Sequence, residues 1–384
     1  MRILMVAARC HPFMGGIETH IREVGPRLQS RGHSVDVLTT DPSGELPVEE
    51  DVLGMRVRRV RAWPKDLDLY IAPGVYAAIR EGTWDLIHFQ GYSTFVVPIG
   101  LFATIRGDLP FVLTFHSGGH SSRLRNAVRG TQQAMLRPLI SRADRLIGVS
   151  EFEADFFSAR MGVPREQFAV IPNGAAMPTP SPGVRVDPNL IVSSGRLERY
   201  KGHHRAIAAM PEVIRRLPEA RLHVVGTGPY ENALRSQVRK LGLDDRVTIG
   251  AIPGGDRQQM ADLLARAGLF VLFSDYEAHP VAVMEALALR RPVLVSKSSG
   301  LAELAAKGLC RAIPCGASAV ETAAAIAREM TTTRLFPDLA LPDWDDCADA
   351  LMDVYCGVMT ARSAARGASG NGRLALVPRT APRR

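Results

Sequence analysis

The sequence predicts an α/β protein of two domains, each a doubly wound parallel sheet, facing one another across a cleft. Three observations predict it. The chain has 384 residues, more than a single hydrophobic core usually sustains, so two domains are expected. Short apolar runs alternate with helical segments, and the alternation stops once and restarts. The stretch IPNGAAMPTPSPGVRVDP, rich in Pro and Gly, separates the two series as a linker would.

In the first series, Ile3–Ala7, Val35–Thr39, Leu86–Phe89, Phe111–Phe115 and Leu146–Val149 are mostly apolar, the pattern of parallel strands covered on both faces. After the first of them, Ile17, Ile21, Val24 and Leu28 recur near helical spacing. Gly25-Pro26 should kink that helix, and Arg31-Gly32 closes it. The first domain is read as residues 1–172 and the linker as 173–188. A second domain over 189–342 follows, with strands Leu190–Ser194, Leu222–Val225, Val247–Ile249, Leu269–Phe273 and Val293–Ser296. Its helices open near Lys201, Tyr230, Asp256 and Pro280. A last helix over 343–361, carrying Trp344, Leu351, Val354, Tyr355 and Met359, is expected to pack back on the first domain. Residues 362–384, rich in Arg, Gly, Ser and Pro, read as a disordered basic tail. In sheets of this kind ligands bind at the carboxyl ends of the strands, so the cleft is the expected active site.

Composition narrows the class. Hydrophobic residues make up 46% and charged residues 22%, the balance of a globular protein. The five cysteines are scattered without ligand spacing, which argues against a disulfide framework or a structural zinc site and suits a reducing cytoplasm. The opening apolar run is too short for a signal peptide. The longest apolar stretch, Phe95–Ile105, contains Pro98 and falls short of the roughly 20 residues that span a bilayer. A cytoplasmic protein is expected, with a peripheral place on the inner face of a membrane left open. The net charge of +8 favours anionic partners. Nucleic acid is disfavoured, because no aromatic stacking face accompanies the arginines.

The densest chemistry lies in FSDYEAHPVAVMEALALRRPVLV, residues 273–295. A strand ends at Ser274, and a loop carries Glu277. The segment His279, Pro280, Val281 and Ala282 then opens a helix, with Pro280 as its first residue and free backbone N–H groups that suit an anion. Glu285 lies deeper in that helix. Two carboxylates at different depths suit sugar hydroxyls and a ribose diol; spacing alone does not separate this from two solvated glutamates. His116, closing the strand PFVLTFH, faces the cleft and can hydrogen-bond a sugar hydroxyl.

This run resembles the Glu-x7-Glu signature of glycosyltransferase family 4. The resemblance extends over residues 1–360 through HPFMGGIETHI, RGHSVDVLT, VSEFEADFF, VIPNG, GRLERYKGHHRAI and VVGTGPYENALR, in the family's order. It implies the GT-B architecture of two Rossmann-like domains and a retaining, metal-independent transfer of a hexosyl-type sugar from a nucleoside diphosphate. It further implies a glycan, glycolipid or small-metabolite acceptor and no cofactor beyond the donor. By resemblance, Arg196 and Lys201 neutralise the donor diphosphate, a task suited to an Arg fork and a Lys point charge. Glu277 faces the donor sugar, Glu285 takes the ribose, and Gly226 and Gly228 line the nucleotide pocket. Gly15 and Gly16 let backbone amides approach the phosphate and acceptor region. Glu18, His20 and His116 fall on the acceptor side. His116, Glu277, Arg196 and Lys201 form the expected catalytic set. Attack from the leaving-group face, with the departing phosphate taking the acceptor's proton, needs no protein base, and none is nominated.

Some features depart from the family or compete with it. Arg290 stands where the family usually has Gly, and Ala-His follows Glu277 in place of a small-aromatic pair. Asp66-Leu67-Asp68 mimics a metal-binding Asp-x-Asp but reads as solvated surface. Arginines gather at Arg56–Arg61 and along Arg123–Arg137. They are read either as a surface for anionic lipid or acceptor phosphate, or as the solvated face of core elements. The alternatives in function are a nucleotide-sugar epimerase or related enzyme of the same architecture, and a non-catalytic nucleotide-sugar-binding protein.

Overall fold

The computed structural model describes residues 1–13, 15–64, 71–92, 94–117, 123–332 and 340–370, apart from the side chains of 123–128 and 368–370. The first sheet holds β1 (Arg2–Ala7), β2 (Ser34–Asp41), β3 (Glu49–Val52), β4 (Met55–Arg61), β5 (Leu86–Gln90), β6 (Phe111–Thr114), β7 (Arg145–Gly148) and β8 (Phe168–Val170), in the order β3-β4-β2-β1-β5-β6-β7-β8. Every pairing in it is parallel except β3 with β4. Helices α1 (Gly16–Ser30), α2 (Gly74–Glu81), α3 (Val96–Arg106), α4 (Arg123–Ile140) and α5 (Glu151–Met161) belong to it. The second sheet holds β9 (Asp187–Ser194), β10 (Arg221–Val225), β11 (Val247–Gly250), β12 (Ala267–Leu272), β13 (Val293–Ser296) and β14 (Arg311–Ile313), all parallel, in the order β11-β10-β9-β12-β13-β14. Its helices are α6 (His203–Arg216), α7 (Glu231–Lys240), α8 (Arg257–Arg266), α9 (Val281–Ala288), α10 (Ser299–Ala306) and α11 (Ala319–Thr331), and α12 (Trp344–Gly370) follows.

Each of the ten expected apolar runs forms a strand, because a run buried on both faces can bond to neighbours on both edges. Strands β3, β4, β8 and β14 were not anticipated. Two of these, β8 and β14, have three residues each, too few to show a period. In β4 the alternation is present, with Met55, Val57 and Arg59 buried, but the arginines disguise it as a charge cluster. Those arginines are largely paired: Arg56 with Glu49, Arg58 with Glu81, and buried Arg59 with Glu50 and the carbonyls of Pro47 and His11. The helix openings also shift. Tyr230, Asp256 and Pro280 are N-caps rather than first residues, and Lys201 sits in a 3₁₀ turn, Arg199–Lys201, ahead of α6. Gly25 has a packing reason, since a Cβ there would lie 2.0 Å from Met55 Sδ.

The last helix lies against α1, where Arg27 and Arg31 bond Asp345 and Asp349. Its Trp344, Leu351 and Tyr355 share one buried cluster with Ile3, Ile21 and Leu28 of the first domain. The helix expected to end at residue 361 continues to Gly370, so residues 362–370 are helical and not part of a disordered tail. Alanine and arginine favour helix, and Arg362 is anchored by Asp108 and Asp144. Residues 371–384 lie outside the described residues. The chain crosses between the domains twice, side by side, with the Ala175 amide donating to the Pro342 carbonyl at 2.8 Å.

Candidate active site in the interdomain cleft

The second domain's face is made at the ends of β9, β10 and β12. The loops after β9 and β10 are zipped together by Gly195 N–H to Val225 O and Leu197 N–H to Thr227 O, at 3.0 and 2.8 Å. Gly226 and Gly228 have φ of 151° and 158°. A Cβ on either would lie 2.0 Å from Gly195 O or 2.5 Å from Leu197 O. Backbone contact alone therefore demands glycine at both. Lys201, delivered by the same loop, places Nζ 2.6 Å from Glu277 Oε1, which also accepts from Ser274 Oγ at 2.8 Å. Glu277 is held from behind: its amide donates to Ser299 Oγ and its carbonyl accepts from Gly300 N–H, both at 2.8 Å. Burial works against the Lys201 ammonium, but the Glu277 carboxylate outweighs it and holds the lysine above its usual pKa. Arg196 is half-exposed and reaches Glu198 at 3.2 Å. Glu285, buried in α9, accepts from Arg257 Nη1 at 2.7 Å; burial raises its pKa and Arg257 opposes the rise. No local pattern marks Arg257, which follows the Asp256 cap of α8.

The first domain's face uses mostly neutral groups. Gly15 caps α1 in extended backbone, and a Cβ on Gly16 would meet nothing within 4 Å, so that turn opens onto free space. The Glu18 carboxyl folds back over Gly15. Burial raises its pKa, while Arg9 and Arg196 lower it, so the second domain's arginine acts on a first-domain carboxylate. His116 is left-handed, with φ of 44°, and its Nε2 lies 2.7 Å from Gln90 Oε1. Gln90 Nε2 continues to His88 Nδ1 at 3.2 Å, and His88 meets Tyr355 Oη and Thr114 Oγ1 at 2.6 and 2.7 Å. Burial holds the imidazoles of His88 and His116 well below the usual histidine pKa.

His20, expected among the acceptor contacts, is corrected by its surroundings. Only 1% exposed, it packs edge-on against His116 and Trp344 and bonds Asn173 Oδ1 at 3.1 Å. It therefore lies behind the site, not on its surface. Asn173 Nδ2 in turn donates to the His279 carbonyl at 3.0 Å, tying α1 to the loop before α9. Pro280 has no N–H and caps α9, so the opening amides of the helix come from Val281 and Ala282. The structure thus gathers Gly15, Gly16, Glu18, His116, Arg196, Lys201 and Glu277 around one cleft, with Glu285 beneath it. Asp66-Leu67-Asp68 and the glycines after Ser117 lie outside the described residues. In α4, Leu136 and Ile140 are buried while Met135 is 74% exposed. No helix among the described residues is long and apolar enough to cross a membrane.

Comparison with known proteins agrees with this geometry. Residues 14–176 match Glycosyltransferase Family 4, and residues 179–333 match Glycosyl transferases group 1. A D-inositol 3-phosphate glycosyltransferase of Nocardiopsis dassonvillei is 28% identical, covering 89% of both chains. A glycogen synthase of Mycobacterium tuberculosis is 29% identical, covering 92% of this chain and 94% of its own. Among solved structures, sucrose-phosphate synthase from Thermosynechococcus elongatus superposes with a TM-score of 0.77 at 22% identity, over 94% of this chain and 99% of that one. Two parallel-sheet domains in GT-B arrangement and family matches over most of the chain converge: this protein is a glycosyltransferase and belongs to glycosyltransferase family 4.

Proposed function

We propose that the protein transfers a hexosyl-type sugar from a nucleoside diphosphate with retention of configuration and without a metal. The observation that carries this reading is the Lys201–Glu277 pair at 2.6 Å, beside Arg196 and opposite Glu18 and His116. When the bond between the anomeric carbon and the diphosphate oxygen breaks, positive charge grows on carbon and negative charge on the leaving group. Lys201, Arg196 and the opening amides of α9 supply fixed positive charge for that leaving group. The acceptor oxygen bonds to the same face of the anomeric carbon, and its proton passes to the departing phosphate oxygen. Glu277, held by Ser274 and Ser299, is placed to orient sugar hydroxyls, and Glu285 to take the ribose diol.

The names of the relatives make an inositol phosphate and glycogen the first acceptors to try. A glycolipid acceptor would bring the protein to an anionic membrane face, which vesicle co-sedimentation would test. The primary experiment is calorimetric binding of UDP, GDP, ADP, TDP and CMP with EDTA present. One diphosphate should bind without metal, and Lys201→Ala and Glu285→Ala should abolish that binding. Unchanged affinity in both variants, or a requirement for added metal, would overturn the reading.

A further inference from the structure

Two residues adjacent in sequence to site residues meet across the cleft. Ser117 follows His116 in the first domain, Tyr276 precedes Glu277 in the second, and their hydroxyl oxygens lie 2.7 Å apart. Behind Ser117 stands Glu153 of α5, fully buried, whose Oε1 accepts the Ser117 amide at 2.6 Å and whose Oε2 accepts the Val149 amide at 2.8 Å. Both carboxylate oxygens are therefore acceptors. Burial raises the Glu153 pKa and the bonds from Ser117 and Val149 oppose the rise; with the carboxyl ionised, the Ser117 hydroxyl, which also bonds Oε1, is the donor in that contact. Its oxygen is then free to accept, so the direction runs from Tyr276 O–H to Ser117 Oγ–H to Glu153. Burial raises the pKa of the Tyr276 phenol and keeps it a donor. Its ring rests edge-on against Phe152 and Phe156, with centroids at 5.7 and 6.5 Å. Next to Glu153 in sequence, the Phe152 amide donates to Glu303 of α10 at 3.0 Å, a second bond between the same two surfaces.

We propose that Tyr276 is a positioning residue for sugar transfer, fastening the second domain to the Ser117–Glu153 cluster so that Glu277 and His116 face the donor sugar together. Tyr276 and Glu277 share a peptide unit, as do Ser117 and His116, so this hydrogen bond acts directly on the spacing of both site residues. The cluster also holds His116 in its left-handed backbone, which an unanchored loop would relax. This inference rests on the transferase reading above.

The test is Tyr276→Phe, which keeps the ring and removes the hydroxyl, alongside Ser117→Ala and the double variant. Affinity for the nucleoside diphosphate found by calorimetry should stay within about twofold, because most of that ligand's expected contacts lie in the second domain and neither hydroxyl is among them. Release of the diphosphate from the corresponding sugar nucleotide should slow about tenfold, the worth of one well-placed hydrogen bond in the closed state. Ser117→Ala should match it, and the double variant should be no slower than either single one. Unchanged turnover in Tyr276→Phe, multiplying losses in the double variant, or affinity falling in step with turnover would overturn the proposal. If the wild type binds a diphosphate but turns over no sugar nucleotide, the transferase reading fails by itself. Small-angle scattering with the diphosphate bound then decides the latch: a larger radius of gyration in Tyr276→Phe supports it, and superimposable profiles overturn it.

Discussion

The two walls of the cleft hold their functional groups by different physics. On the second domain, Lys201 is paired with Glu277 and Arg257 with Glu285, each pair largely buried. On the first, His116 is oriented by an uncharged chain through Gln90 and His88 to Tyr355. Under the proposed reaction, the incoming diphosphate would compete with Glu277 for Lys201, leaving the carboxylate available to the sugar. A neutral chain can orient an imidazole without a net field at the carbon where positive charge grows. The difference teaches that one wall is held by buried charge pairs and the other by a neutral hydrogen-bond chain.

The sharpest way to break this comparison is to unpair one wall. Lys201→Ala leaves the Glu277 carboxylate buried without its cation, and thermal or denaturant unfolding should report a loss of about 3–5 kcal/mol. An unaltered midpoint would mean that the pair contributes nothing to the folded state.

Acid tests the neutrality of the imidazoles. Burial lowers His20, His203 and His279 from 6.5 to about 4. The unfolded chain therefore takes up protons first as pH falls. Their stabilisation is complete above about 6.5 and is lost as pH drops toward 4, by about 3 kcal/mol for each histidine across that window. A pH series of melting temperatures should show the fall, and His20→Gln should flatten it; an identical slope would mean that His20 is not held neutral.

Within the neutral wall, Gln90→Leu removes the acceptor of His116 Nε2–H. It should cost about 1–2 kcal/mol of stability and lower turnover while leaving diphosphate affinity in place, a split read from calorimetry beside kinetics.

The smallest effect has the opposite sign. Arg290 is left-handed at the end of α9, with φ of 56°, its amide bonding Leu287 O and the next amide bonding Ala286 O. This is a glycine-favouring helix end, so Arg290→Gly should raise stability by about 0.5–1 kcal/mol in a denaturant titration. His116 is left-handed too, but its ring is engaged at the site; His116→Gly should lose turnover even if it relaxes the backbone.

What could be read beforehand follows from range. The strands show themselves because burial on both faces is written in consecutive residues, and Glu277, Pro280 and Glu285 sit within one loop and helix. Partners do not show themselves. Lys201 reaches Glu277 across 76 positions, Arg257 reaches Glu285 across 28, and Asn173 reaches the His279 carbonyl across 106. Nothing local in Arg257, Gln90 or Tyr276 distinguishes it from an ordinary surface or strand-end residue. Arg290 was noticed as a departure from the family's glycine, yet its backbone conformation supplies the reason that glycine is preferred there. His20 misled because its burial is set by Trp344, Asn173 and His116, all remote in sequence.

One feature of the architecture bears on how the chain comes to be made. Trp344 and Tyr355 sit in the same buried cluster as β1 and α1, and Tyr355 completes the bonding of His88. During synthesis these residues leave the ribosome only after the whole second domain has emerged. Until then the β1–α1 side of the first domain keeps an apolar groove uncovered, awaiting a helix encoded about 300 positions downstream of α1, while the other side of its sheet has a core without that helix. A nascent chain stalled before α12 would expose that groove, the kind of surface on which a chaperone acts.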